Sequence, residues 1–196
     1  ELAAAAAELS AARAAAASRL AAAMEPVLPE LGLVGARFEV RLSSHDAVSA
    51  GGAESVTFLV APNRGFDPMP LAKIASGGEL SRIMLALKSI LATVDRVPVL
   101  IFDEIDAGVG GVIATSVARK LAEVGERHQV FVVTHLPQVA SRAASHLLVA
   151  KGEHAGRTTT ATRLLDGEAR VEEIARMLGG DPESTTSREH ARELLG

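Results

Sequence analysis

"VLIFDEID", residues 99–106, runs four apolar residues straight into Asp103, Glu104 and Asp106. A continuous apolar run of that length, closed by polar residues, reads as a strand buried on both faces, the kind found in parallel sheets with helices on either side. Downstream, "GVIATSVARKLAEVGER" (111–127) reads as a helix, and "QVFVVTH" (129–135) as a second buried strand that ends in Thr134 and His135. Upstream, "ASGGELSRIMLALK" (75–88) opens a helix from about Glu79 to Val94. Its Ile83, Leu87, Ile90, Leu91 and Val94 recur at three and four, giving one apolar face. Strand and helix therefore alternate through residues 76–150. That pattern predicts an α/β fold, with ligands expected where strands end in loops.

The flanks read differently. "ELAAAAAELSAARAAAASRLAAAM" at the start is mostly alanine, a composition with high helix propensity and little to bury. Leu2 and Leu9 stand seven apart, as in a coiled-coil seam, although the heptad does not continue cleanly; an ordinary surface helix is the plainer reading. Pro26 and Pro29 place a helix end and a domain boundary near residues 25–33. "ARFEVRL" (36–42) and "ESVTFLVAP" (54–62) alternate as an antiparallel pair around the polar loop "SSHDAVSAGGA". His45 and Asp46 in that loop fit a solvated turn. Beyond "LPQVASRAA", a helix start, "HLLVAK" and "TTTATRLL" read as strands, and "ARVEEIARMLGG" (169–180) as a closing helix with a Gly-Gly stop.

With 196 residues, 48% hydrophobic and no cysteine, the chain can bury a proper core without disulfides, as in a reducing cytoplasm. A net charge of −4 gives no bulk attraction for nucleic acid or an anionic membrane, so a DNA-binding face must be local or elsewhere. No apolar run approaches the roughly 18 to 20 residues of a membrane span, and no signal-peptide pattern occurs. The first residue is Glu1, which gives the chain the look of a piece of something longer.

The chemistry concentrates at three places. Ser76 can cap the helix that follows it, and Gly77 and Gly78 strip side chains from N–H groups at the positive end of the helix dipole, which suits a phosphate. Asp103, just past a buried strand, can hold Mg²⁺ on a nucleotide, and Glu104 beside it can orient and deprotonate an attacking water. His135, at the end of the next strand, can reach a terminal phosphate. Each has a plainer reading: a helix cap, a solvated turn, a strand-end polar residue. His128, His146, His154 and His190 have no metal-ligand spacing and read as surface or satisfied residues, and Lys151, Arg157 and Arg163 as charges on a solvated hairpin.

Taken in this order, "SGGE" (76–79), "VLIFDE" (99–104) and His135 resemble the signature motif, Walker B strand and switch histidine of an ABC-type ATPase head. "KIASGGELSRIMLALK", "LIFDEIDAGVGG", "VVTHLPQVA" and "EIARMLGG" narrow the resemblance to the RecN family of bacterial DNA repair proteins, relatives of the SMC proteins, from about residue 36 to the C-terminus. The resemblance implies residues 31–196 as the C-terminal lobe of the head, mainly a parallel sheet flanked by helices, and residues 1–30 as the end of a coiled-coil helix. It also implies ATP and Mg²⁺ as ligands, and a composite site shared between two heads in double-strand break repair. The implied partners are DNA, a second head and a separate Walker A lobe, in a bacterial cytoplasm close to the nucleoid.

Two features depart from the family pattern. Gly110 stands where many ABC ATPases carry the D-loop aspartate; Asp106 fits an SMC-like D-E-x-D spacing, with helix capping as its plainer role. No G-x-x-x-x-G-K-[ST] occurs, since none of Lys73, Lys88, Lys120 and Lys151 follows a glycine. A helicase fragment built on the D-E-x-D box, or a non-catalytic dimerisation lobe, are the other readings.

Overall fold

The computed structural model describes residues 1–154, 157–179, 181 and 184–196. Gly180, the second residue of the expected Gly-Gly stop, lies outside the described residues, as do the side chains of His154 and Arg157.

Helix α1 spans Leu2–Glu30. Alanine favours the helix but gives it little to bury, so Leu2 and Leu9 stay exposed while the C-terminal end is anchored by Met24, Leu28 and the following Leu31, all fully buried. That anchoring carries the helix past Pro26 and through Pro29. It stops where Leu31 and Gly32 donate their N–H groups to Leu28 O and Pro29 O, with Gly32 at φ +78°.

Strands β1 (Arg37–Ser49) and β2 (Gly52–Ala61) form an antiparallel ribbon. Both are longer than their alternating apolar residues require, because the segment 43–49 stays extended and places His45 and Asp46 in β1, exposed, rather than in a loop. The pairing is regular from Arg37↔Ala61 to Ser44↔Glu54, shifts, and resumes at Ser49↔Gly52. The turn is pinned from outside. Arg13 of α1 donates to Gly51 O at 2.7 Å and pairs with Glu54 at 3.5 Å. A short strand β3 (Met69–Pro70) adds to β2, and one 3₁₀ turn (Leu71–Lys73) leads to the next helix.

Helix α2 covers Gly77–Leu91, with Ile83, Leu85, Ala86 and Leu87 buried. Val94, expected on its apolar face, lies beyond the helix end and is 71% exposed. After the helix, Lys88 donates to Asp95 Oδ2 at 2.5 Å and Val97 N–H to its Oδ1 at 3.0 Å. These two bonds, the lysine's first, hold the Asp95 carboxyl below its ordinary value. A depressed carboxyl stabilises the fold above its unfolded pKa and loses that contribution as pH falls through the folded value. Lys88→Met is therefore expected to flatten the acid limb of a urea-midpoint-against-pH curve relative to wild type; an unchanged limb refutes the linkage.

Strand β4 (Val99–Phe102) and strand β5 (Gln129–Val132) pair in parallel, joined by helix α3 (Gly111–Gly125). This is the parallel part of an α/β fold in which helix and sheet are mixed. Leu100 and Phe102 turn into the main core with Met24, Leu28, Ile83, Leu85, Val117 and Leu121. The other face is bare: Val99, Ile101, Phe131 and Val133 are 45%, 72%, 47% and 60% exposed. The strand is thus buried on one face where its apolar run predicts two, and its edge away from β5 pairs with no strand among the described residues.

A one-turn helix α4 (Pro137–Ala140) leads into the antiparallel hairpin β6 (His146–His154) and β7 (Arg157–Leu165). Helices α5 (Gly167–Met177) and α6 (Thr185–Leu195) then close a small second cluster of Ala140, Val171, Ile174, Ala175 and Ala191. Arg170 ties this cluster to the loop after α4 through the carbonyls of Ala140, Ser141 and Ala143. Among the described residues no helix is long and apolar enough to cross a membrane.

Candidate functional site

Ser76 is the N-cap of α2, its Oγ accepting from Glu79 N–H at 3.3 Å. Behind the cap, Gly77 and Gly78 let the helix start press against the loop that follows β4. A Cβ on Gly77 would collide with Glu104 Oε2, and one on Gly78 would stand 2.9 Å from Glu104 O and 3.0 Å from Ala107 Cβ. The two glycines thus have a steric reason that the helix alone does not supply. They bring the positive end of α2 to the Glu104 carboxylate.

The loop is shaped to present that carboxylate. Glu104 has φ +56°, the single positive φ outside glycine among the described residues, a conformation that costs a side-chain-bearing residue roughly 1–2 kcal/mol. Its neighbours hold it there. Asp103 Oδ1 accepts from Glu104 N–H at 2.8 Å, Glu104 O accepts from Ala107 N–H at 2.9 Å, and Ser81 Oγ on α2 donates to Asp103 O at 2.8 Å.

Arg82, on the same helix and buried, completes the clamp by donating from Nη1 to Ile105 O at 3.3 Å and Ala107 O at 3.0 Å. Burial is the main influence on this guanidinium and lowers its pKa, with Glu79 opposing. Sequence reasoning passed over Arg82, because its spacing on α2 matches a surface arginine.

Asp106 is the other residue that local sequence undervalued. It does not cap α3, whose N-cap is Gly110 with no side-chain cap. It is buried instead, and its Oδ2 accepts from Thr134 Oγ1 at 2.5 Å, from His135 N–H at 2.9 Å and lies 3.1 Å from His135 Nδ1. Thr134 Oγ1 in turn accepts from Leu136 N–H at 3.0 Å. Asp106 therefore joins the ends of β4 and β5, and the three expected places become one surface: Ser76 to Gly78 against Glu104, Asp103 beside it, and His135 attached through Asp106. The His135 side chain is 76% exposed. Only a partner such as Thr134 could have marked Asp106 from sequence, and that pairing spans 28 residues.

The remaining histidines divide. His128 is buried, not at the surface, with Nδ1 donating to Val97 O at 2.7 Å and Nε2 without a partner. His146 is half-buried and held below its ordinary pKa by burial, then by the Arg170 charge; His190 is exposed. No group of three or more His, Asp or Glu side chains able to hold a metal occurs among the described residues. A magnesium ion riding on nucleotide phosphates needs fewer, since it takes one or two carboxylates. Asp103 and Glu104, both exposed at a strand end, are of the right type.

No known family profile matches the chain. Individual relatives do. The DNA repair protein RecN of Treponema pallidum is 47% identical over 178 residues, 88% of this chain and 31% of its own length. RecN of Xylella fastidiosa is 46% identical over 193 residues, 97% of this chain and 35% of its own. The chain thus spans about a third of the length of these curated relatives. Among solved structures, the Smc head domain with a coiled coil and joint from Pyrococcus yayanosii superposes with a TM-score of 0.54 at 19% identity, covering 80% of this chain and 28% of that one, a likeness of fold. With near-half identity sustained over almost all of its residues, on an SMC-head fold, the chain belongs to the RecN family.

Proposed function

We propose that residues 31–196 form the C-terminal lobe of an ABC-type ATPase head that acts in DNA double-strand break repair, with residues 1–30 as the end of its coiled coil. The observation that carries this reading is the packing of the glycine-led start of α2 onto Glu104, too close for a methyl group at either glycine. In a helicase D-E-x-D box or a plain dimerisation surface the contact would be helix–loop packing and nothing more. It does fit a seat for a phosphate beside a carboxylate base.

In this reading Ser76 and the N–H groups of Gly77 and Gly78 close over the terminal phosphate of ATP bound to a facing head. At the ATP held jointly with this head's own Walker A lobe, Glu104 takes the proton of the attacking water, and His135 contacts the γ-phosphate. Mg²⁺, held by Asp103 on the phosphates, would supply charge neutralisation there. An incoming phosphate must displace Glu104 from above Gly77, because two anions do not share one helix end.

The loop that cradles the β- and γ-phosphates would come from a separate Walker A lobe. The bare face of β4 and β5 supports this, since parallel sheets are covered on both sides, and so does the groove of Leu80, Met84, Leu100 and Ile101 along the unpaired edge of β4. DNA, a second head and the nucleoid-associated cytoplasm are proposed as partners and setting of the whole protein, not of this surface alone.

The test is ATP turnover on mixing. This chain alone is expected to bind ATP negligibly by calorimetry, and hydrolysis to appear only with the Walker-A-bearing lobe. Micromolar ATP binding by the chain alone overturns the split site. Lobes that associate and bind ATP yet stay inactive put the non-catalytic scaffold in its place.

A further inference from the structure

We infer that Asp106 is a positioning residue that fixes the tautomer and orientation of His135, leaving Nε2 as the atom His135 presents to solvent and substrate. The Nε2 role toward phosphate rests on the ATPase reading; the tautomer does not.

The argument is one of donors and acceptors. Asp106 Oδ2 is a buried carboxylate oxygen with Thr134 Oγ1, His135 N and His135 Nδ1 all within 3.1 Å. Nδ1 approaches Oδ2 at 3.1 Å without an aligned hydrogen bond, and an unprotonated Nδ1 would turn its lone pair toward the carboxylate, so the charge favours the proton on Nδ1, and in the neutral ring Nε2 is then the acceptor. Free imidazole side chains in water favour the opposite tautomer, with the proton on Nε2. The bond from His135's own N–H to the same oxygen fixes the backbone, and the ring sits with Nδ1 facing that oxygen. Thr134 holds that oxygen from the other side and uses its own oxygen to bind Leu136 N–H, which sets the start of the next turn.

The carboxylate is itself positioned. Arg82 grips the carbonyls of Ile105 and Ala107, the residues on either side of Asp106. A shift of helix α2 is therefore passed through Arg82 to Asp106, and through Asp106 to the ring of His135. The charged groups facing Asp106 are His135 from the end of β5 and Arg82 from α2, the latter through backbone carbonyls.

The experiment is a ¹⁵N-histidine long-range correlation spectrum of this chain at a pH where His135 is neutral, with His135→Gln used to assign the signal. The expected pattern is the Nδ1–H tautomer for His135 in wild type and a shift toward Nε2–H in Asp106→Ala, with Asp106→Asn in between because its amide oxygen still accepts. A wild-type Nε2–H pattern overturns the inference even if no variant folds. In the mixture with the Walker A lobe, Asp106→Asn is expected to lower kcat at least about tenfold with little change in KM, the mark of lost orientation rather than lost binding. The correct tautomer with no turnover in the wild-type mixture would instead count against the ATPase reading alone.

Discussion

Replacing Glu104 with glutamine is expected to lower ATP turnover in the reconstituted head by at least about 100-fold while ATP still binds. Glutamine keeps the shape of the side chain and its reach over Gly77, and it removes only the basic oxygen that takes a proton from water. Because Glu104 is exposed and already in a positive-φ conformation, the exchange leaves both the backbone cost and the packing of the loop almost unchanged. Its effect belongs to the chemical step. Removal of the charge also relieves competition between the carboxylate and an arriving phosphate at the start of α2, so ATP affinity is expected to hold or rise. Single-turnover assays with a filter-binding measurement separate the two; turnover near wild type removes Glu104 as the base.

Gly77→Ala is expected to separate stability from activity. Gly77 is exposed at the first helical position with an ordinary φ, so alanine suits the backbone and contributes up to about 0.4–1 kcal/mol of stability. The new methyl group, however, takes the place of Glu104 Oε2, a flexible side-chain end that gives way cheaply, and stands beside the N–H groups that a phosphate would approach. The thermal midpoint should stay or rise, and turnover should fall at least about tenfold through obstruction of the phosphate seat at the start of α2. Gly78→Ala is the contrast. There the methyl meets the backbone carbonyl of Glu104, which cannot swing away, and overpacking of about 1–3 kcal/mol opposes the helix gain. If Gly77→Ala keeps full turnover, the open helix start at Gly77 has no catalytic meaning.

Local sequence carries the elements well where backbone chemistry and periodicity agree. Ser76 before two glycines marks the start of α2, and the apolar run 99–102 before Asp103 marks β4, because a cap and a strand are decided within a few residues. The run cannot reveal whether Ile101 is covered, since an isoleucine that waits for another layer is written as one that already has it. The extended stretch from Ser43 to Ser49 reads as a loop because its side chains are polar; it holds as strand because Ser43, Ser44 and Ser49 pair with β2 and Arg13 of a distant helix secures the turn. Helix α6 went unseen, as its single buried residue, Ala191, gives no stripe to detect. At the site, the residue types were legible and their connections were not. Arg82 and Asp106 act through partners 23 to 29 residues away, and that distance is closed only by folding.

Helix α1 is fastened at two separated points: Arg13 on the tip of the hairpin, and Met24 with Leu28 in the core. A rod fixed twice along its axis has no swivel, so it turns only when the body turns. At 29 residues it is about 43 Å long, and a tilt of the body by about 10° sweeps its first turn through about 8 Å. The alanine surface that gives the helix so little to bury also lets it travel through that arc without tearing loose a packed partner.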